Sequence, residues 1–262
     1  MPAIERYAQG APCWVDLSTS DETAALAFYG ALFGWRDDPA DMGDGQYYHM
    51  LKLGPAHVGA IYQQQPEEVD QGIPSHWNTY INVVDVEGVT RNVGELGGTV
   101  LAEPFEVLDS GRMSVIADPT GAIVALWQAL SHRGSGVRGE PGAVAWNELI
   151  TTNPESAAAF FRDLLGVQPA TMSGPGDVPY TLLRVNGQDA AGIMPIAPQM
   201  GDMPPNWFVY FAVEDCDASA AQAKSLGATV LAEPMDTPPG RFAIVQDPQG
   251  AVFGVIRLSG EM

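Results

Sequence analysis

Asp16 and Glu148 each lie two residues after a tryptophan, in segments that alternate like strands, WVDLS (14–18) and WNELI (146–150). Side chains alternate across a strand. Val15 and Leu17 therefore suit a packed face, and Trp14, Asp16 and Ser18 the opposite one; the second segment puts Trp146, Glu148 and Ile150 together. A buried carboxylate without a partner is costly. Arg112 and Arg241, each following a glycine, are the candidate partners. Such a pair is either a structural brace or a ligand-facing acid that becomes a general base if desolvation raises its pKa. Asp16 and Glu148 are the only catalytic candidates on this reading.

The same alternation gathers Asn78, Tyr80 and Asn82 on one face, with Phe208, Tyr210 and Ala212 as their second copy. Ile123, Ala125 and Trp127 join the first set, and Val252, Gly254 and Ile256 the second. An aromatic wall with one acid suits a flat, partly apolar molecule carrying a donor or a cation. Ring stacking contributes about 0.5–1.5 kcal/mol beyond area, and a cation over a ring a similar amount. The competing reading makes Trp14, Trp77, Trp146 and Trp207 core or rim packing. The expected ligand-binding set is Trp14, Asp16, Asn78, Tyr80, Arg112, Trp127, Trp146, Glu148, Phe208, Tyr210 and Arg241.

Other chemistry is poorly represented. The four histidines, His49, His57, His76 and His132, all fall in the first half. His49 and His57 could face each other across a hairpin, but two histidines make an incomplete metal site. Cys13 and Cys216 occupy unrelated places and read as ordinary buried thiols. DPTG (118–121) and DPQG (247–250) are turns, with Asp at i, Pro at i+1 and Gly at i+3. A phosphate-cradling glycine loop is missing, and a Ser-His-Asp arrangement lacks a histidine in the second half.

The elements that must position these groups occur twice. CWVDLSTSDETAALAFYGALFGW (13–35) returns as AWNELITTNPESAAAFFRDLLGV (145–167), and GRMSVIADPTGA (111–122) as GRFAIVQDPQGA (240–251). A repeat spaced by about 130 residues is a duplicated domain. Each half divides again. Residues 12–18 read as a strand. A helix follows, with Ser20 as N-cap, Ala24, Ala25, Phe28, Leu32 and Phe33 on one side, and Gly34 as stop. Strands follow at 46–53 and 57–63. A strand at 78–84, a helix at 86–96 and strands near 99–101, 112–117 and 122–128 complete the first half. The second half shows Asn153-Pro154 as N-cap and first helical residue, and a helix over 217–226. The class is α+β, four β-α-β-β-β units in two domains, 8–130 and 143–258. Residues 131–142, polar and glycine-rich, read as a linker; 63–75 and 197–205 read as flexible joints.

Composition bounds the partners. Thirty-two acidic and twelve basic residues give a net charge of −20, which repels nucleic acid and anionic lipid. The sequence has no apolar run long enough to span a membrane. The N-terminus, MPAIERYAQG, is polar. These features favour a cytoplasmic protein without nucleic-acid or membrane partners; the expectation is a monomer or homodimer with a small molecule as partner and no cofactor.

WVDLSTSD…AFYGALFGW followed by DPTGAIVALW resembles the glyoxalase/bleomycin-resistance/extradiol-dioxygenase (vicinal oxygen chelate) superfamily, above all its two-domain actinobacterial members labelled glyoxalase-like proteins or hydroxylases. The resemblance covers about 11–257 and occurs twice. It implies that paired units curl an eight-stranded sheet around a cup, which in metal-dependent members holds a divalent ion. The inherited ligand places fall at Trp14, about Ala60, Asn78 and Ala125, and at Trp146, about Ile193, Phe208 and Gly254. Only Asn78 carries a donor, and a catalytic zinc site needs about three strong ones. The resemblance thus implies a metal-independent binder of a drug-like natural product, sequestering it or assisting its tailoring. The first cup would be the more polar. The alternative is an enzyme of the same superfamily, a glyoxalase-like lyase or an oxygenase-related activity.

Overall fold

An acidic or amide side chain starts each of the four main helices. Asp21, Asp85, Asn153 and Asp215 each accept the backbone N–H three residues on, which satisfies a donor the helix leaves orphaned. Asp21, not Ser20, is therefore the first cap. Gly34 and Gly166 end two of the helices at φ +72° and +76°, the left-handed conformation that favours glycine.

The computed structural model describes residues 4–43, 45–174 and 178–260. In the first half, strand β1 (Pro12–Thr19) is followed by helix α1 (Glu22–Phe33) and strands β2 (Arg36–Gly43), β3 (Gln46–Leu53) and β4 (Ala56–Gln63). A short helix α2 (Pro66–Asp70) leads to β5 (His76–Asn82), α3 (Val86–Asn92), β6 (Thr99–Val107), β7 (Gly111–Ala117) and β8 (Ile123–Ala129). The second half runs β9 (Val144–Thr151), α4 (Pro154–Leu165), β10 (Gln168–Ser173), β11 (Pro179–Val185), β12 (Gln188–Pro195) and β13 (Asn206–Ala212). It ends with α5 (Cys216–Ser225), β14 (Thr229–Thr237), β15 (Gly240–Gln246) and β16 (Val252–Leu258).

The sheet orders are β2-β3-β4-β1-β5-β8-β7-β6 and β10-β11-β12-β9-β13-β16-β15-β14. The fold is α+β, with units pairing within each half through antiparallel β1–β5 and β9–β13. Strands β2 and β10, absent from the pattern-based reading, are largely exposed edges, so they carry no alternation to read. Helix α3 is shorter than expected and β6 is longer.

The two halves share their cores. One cluster joins Phe28, Tyr29 and Phe33 of α1 to Ala220 and Ala223 of α5 and to Phe211 and Phe253. The other joins Val86 and Val89 of α3 to Phe160, Phe161 and Leu164 of α4. Smaller clusters lie on the opposite faces, around Trp14, Ala60 and Trp127 in one sheet and Ala145, Ala212 and Ile256 in the other. Those are the concave faces.

The segment read as a linker is built into the structure. Ser135 N–H donates to the Cys13 carbonyl at 2.8 Å, Gly136 N–H to His57 at 2.8 Å, and Ser135 Oγ to Val58 at 3.1 Å. Arg138 donates to Asn147 Oδ1 at 2.8 Å, and Asn147 Nδ2 donates to Thr79 Oγ1 at 3.1 Å. This chain ties the backs of the two sheets together.

Candidate functional site

Alternation along β1 sends Val15 and Leu17 into the shared core and Trp14 to the concave cluster. Register then assembles a centre. Asp16 pairs with Ala60 on β4 and with Asn78 on β5, while Trp14 pairs with Tyr80, and Tyr80 with Ala125.

Asp16 is fully buried. Its Oδ2 accepts from the Tyr80 hydroxyl at 2.6 Å and the Tyr48 hydroxyl at 2.8 Å; Oδ1 accepts from Asn78 Nδ2 at 3.0 Å. Trp14 Nε1 donates to Tyr48 Oη at 2.9 Å. Asn78 Nδ2 also reaches Tyr62 Oη at 3.2 Å. The second half repeats the scheme. Glu148 accepts from Tyr180 at 2.7 Å and Tyr210 at 3.1 Å, and Trp146 Nε1 donates to Tyr180 at 2.9 Å. Phe208 stands where Asn78 stands in the first centre, its ring 4.9 Å from that of Tyr210.

Neither arginine partners these acids. Arg112 pairs with Glu87 at the start of α3. Arg241 is held by Asp217 at 2.6 and 2.8 Å and by Asp236 at 3.2 Å. Pairing with residues that open α3 and α5 places both on the helix side of their strands. Asn82 is buried and holds the N-terminal arm, donating to the carbonyls of Tyr7 and Ala8. Trp77 and Trp207 belong to the shared cores. Trp127 packs beside Trp14, and its Nε1 donates to the His132 carbonyl at 3.0 Å.

Tyr48, Tyr180, Tyr62 and His132 escaped the sequence reading. Tyr48 and Tyr180 sit at corresponding positions of the repeat, QYYHML and PYTLLR. That match was the available signal, but it lies where the two copies diverge most.

Burial pushes the Asp16 carboxyl up, against the lowering effect of its Tyr80, Tyr48 and Asn78 donors. Glu148 is raised for the same reason, opposed by Tyr180 and Tyr210. Tyr48 and Tyr80 are pushed well above the usual phenol range by burial first and the Asp16 charge second. The tyrosines therefore remain neutral donors. The acids are engaged by protein hydroxyls, so the geometry holds phenol rings in place instead of presenting a base.

A carboxyl raised by folding binds more protons folded than unfolded in the window above about pH 4. Its contribution to stability is complete below the unfolded value and is lost as pH rises through the folded one. Asp16→Asn is therefore expected to flatten the fall in stability above pH 4. Urea melts of both proteins at several pH values measure it; parallel profiles would refute the assignment.

The metal implied by the fold family does not fit these residues. The β12 place corresponding to Ala60 is Gly192, which pairs with Glu148, and not Ile193, which lies in the core. The inherited places are then Trp14, Ala60, Asn78 and Ala125, and Trp146, Gly192, Phe208 and Gly254. Among the described residues no three His, Cys, Asp or Glu converge. His49 bonds to Asp37 at 2.9 Å and His57 to Asp38 at 3.0 Å, as separate pairs.

The Glyoxalase/Bleomycin resistance protein/Dioxygenase superfamily matches residues 13–126 and again 142–255. The chain belongs to this superfamily. It is 44% identical over 259 residues to "Putative glyoxylase CFP32" of Mycobacterium tuberculosis, covering 98% of each. It is 38% identical over 266 residues to "Anthracycline biosynthesis protein DnrV" of Streptomyces peucetius, covering 97% of this chain and 96% of the other. The fold resembles the Mn(II)-bound glyoxalase from Novosphingobium aromaticivorans, with TM-score 0.66, 18% identity, and coverage of 97% and 86%. It also resembles the 2,3-dioxygenase LapB from Pseudomonas sp. KL28, with TM-score 0.64, 14% identity, and coverage of 95% and 93%. Within this superfamily the chain keeps the architecture while its two centres are tyrosine–carboxylate clusters.

Proposed function

We propose that this superfamily member binds a planar, partly apolar small molecule on its concave faces, without a resident metal, as a cytoplasmic monomer or homodimer. The observation that carries the reading is the Trp–Tyr–carboxylate–Tyr chain present in both halves. A buried acid locks the hydroxyls of half-buried tyrosines, so the rings form a preorganised stacking surface. Similarity to a protein named for anthracycline biosynthesis supports a polycyclic aromatic natural product, sequestered or held during its tailoring.

The two faces differ. Asn78 and Tyr62 make the first polar; Phe208 makes the second apolar. No helix among the described residues is long and apolar enough to cross a membrane.

Titration with a panel of anthraquinones and smaller planar aromatics is expected to quench tryptophan fluorescence, because Trp14 and Trp127 line the first face. Elemental analysis of the same sample is expected to show no stoichiometric metal. Absence of quenching across the panel, or one equivalent of Zn, Ni, Fe or Mn held by the chain, would overturn the reading.

A further inference from the structure

One buried polar group outside the tyrosine–carboxylate network lies against Trp14 and Trp127 of the first concave cluster and has no counterpart in the second. His132 follows β8. Its N–H donates to the Ser110 carbonyl at 3.0 Å, and its own carbonyl accepts from Trp127 Nε1. These bonds, with those of Ser135 and Gly136 to Cys13 and His57, draw the segment across one end of the first sheet. They fix the imidazole edge-on to Trp14, with ring centroids 4.4 Å apart and an interplanar angle of 81°, and 5.8 Å from Trp127. Tyr80 completes the aromatic box, 6.3 Å from Trp127. Tyr48, Tyr80 and Met113 are among the residues partly buried against this cluster.

Within the box His132 Nε2 is buried and bonds to nothing among the described residues. Buried polar atoms in folded proteins are almost always paired, so an unpaired acceptor here would gain from a ligand donor. The imidazole is neutral at physiological pH, burial having lowered its pKa to about 4, so one ring nitrogen is free to accept a proton donor. The hydroxyls of Tyr48 and Tyr80 already donate to Asp16. After β16 the second half instead bonds Ser259 N–H to the Pro239 carbonyl, and no imidazole stands there, since all four histidines precede residue 133.

We propose that His132 is the specificity-determining residue of the first cup, accepting a hydrogen bond from a free phenolic hydroxyl on a planar aromatic ligand stacked on the half-buried tyrosine rings. The inference rests on the small-molecule reading above and adds the ligand's functional group. A site built to pair a hydroxyl discriminates strongly against the analogue lacking it, because its own polar atom is then left unpaired.

The test uses the full chain and two matched probes, 2,6-dihydroxyanthraquinone and its dimethyl ether, each titrated by tryptophan quenching. Wild type is expected to bind the dihydroxy probe at least about tenfold more tightly, equivalent to about 1.4 kcal/mol. His132→Phe is expected to bring the two affinities within about twofold while retaining the dimethyl ether; His132→Gln, which keeps an acceptor, is expected to recover part of the preference. The Nε2 resonance of His132 in nitrogen-15 spectra is expected to move with the dihydroxy probe and not with the ether. An unchanged preference in both variants, or a still Nε2 resonance, refutes the role of His132 alone. Failure of wild type to bind either probe refutes the binding reading on which it rests.

Discussion

Tyr29→Phe is expected to lower stability by about 2–4 kcal/mol, and Phe161→Tyr to raise it by about 1–2 kcal/mol, from the penalty for unpaired buried polar atoms. In the first half Trp77 Nε1 donates to Tyr29 Oη at 3.0 Å, and Tyr29 donates to Asp247 Oδ2 at 2.9 Å. All three groups are buried, and the chain crosses from one half to the other. The second copy is broken. Phe161 takes the place of Tyr29 against Trp207, with centroids 5.5 Å apart at 80°, as Tyr29 lies 5.3 Å from Trp77 at 88°. Asp118 takes the place of Asp247. Without the hydroxyl, Trp207 Nε1 and Asp118 Oδ2 are both buried and unpaired. Helix α4 already packs at this turn, since Phe160 touches the Gly98 position beside the Ala117 carbonyl. One added oxygen is therefore expected to satisfy two orphans. Thermal melts should show shifts of about 2–4 °C per kcal/mol for a chain of this size. A Phe161→Tyr variant less stable than wild type would show that the two halves are not equivalent here.

That asymmetry marks the boundary of what the sequence discloses. The duplication, the Asn153 cap and the inward set of β1 and β5 were readable, because strand alternation and Asx caps are local physics; the first cap lies on Asp21 and not on the expected Ser20. Trp14, Asp16, Asn78 and Tyr80 follow from a period of two and nothing else. The partners of Asp16 and Glu148 were not readable. Arg112 and Arg241 were the obvious cations, yet the same alternation that turns Met113 into the cup turns Arg112 toward Glu87. The acids are satisfied by neutral phenols, Tyr80 and Tyr210 on β5 and β13 together with Tyr48 and Tyr180 on β3 and β11, and the place of β3 and β11 beside β4 and β12 is a matter of sheet order. His132 was hidden differently. A glycine-rich polar stretch reads as a tether, and only the bonds to Cys13, His57 and Val58 reveal it as part of the first domain.

Gly254→Ala is expected to destabilise the chain by about 3 kcal/mol, the upper part of the usual range for overpacking a close-packed site. In the second half the small residues at the ancestral ligand places let the tyrosine rings lie close. A Cβ at Gly254 would lie 2.1 Å from Tyr210 Cδ1 and 2.6 Å from Cε1, and one at Gly192 would lie 1.9 Å from the Tyr180 hydroxyl. Glycine is required there so that the two tyrosines can lie on the strand backbone and reach Glu148. In the first half the corresponding pair is Tyr80 and Ala125, so that tyrosine tolerates a methyl group at the same register. An added methyl at 254 must push the Tyr210 ring aside and strip Glu148 of one of its two donors. The clash and the lost bond are one event, so a double-mutant cycle isolates it. In a Tyr210→Ala background, Gly254→Ala is expected to cost less than about 1 kcal/mol, because the obstructing ring is gone. Urea denaturation of the four proteins measures this coupling. Additive effects would mean that Tyr210 does not rest on Gly254.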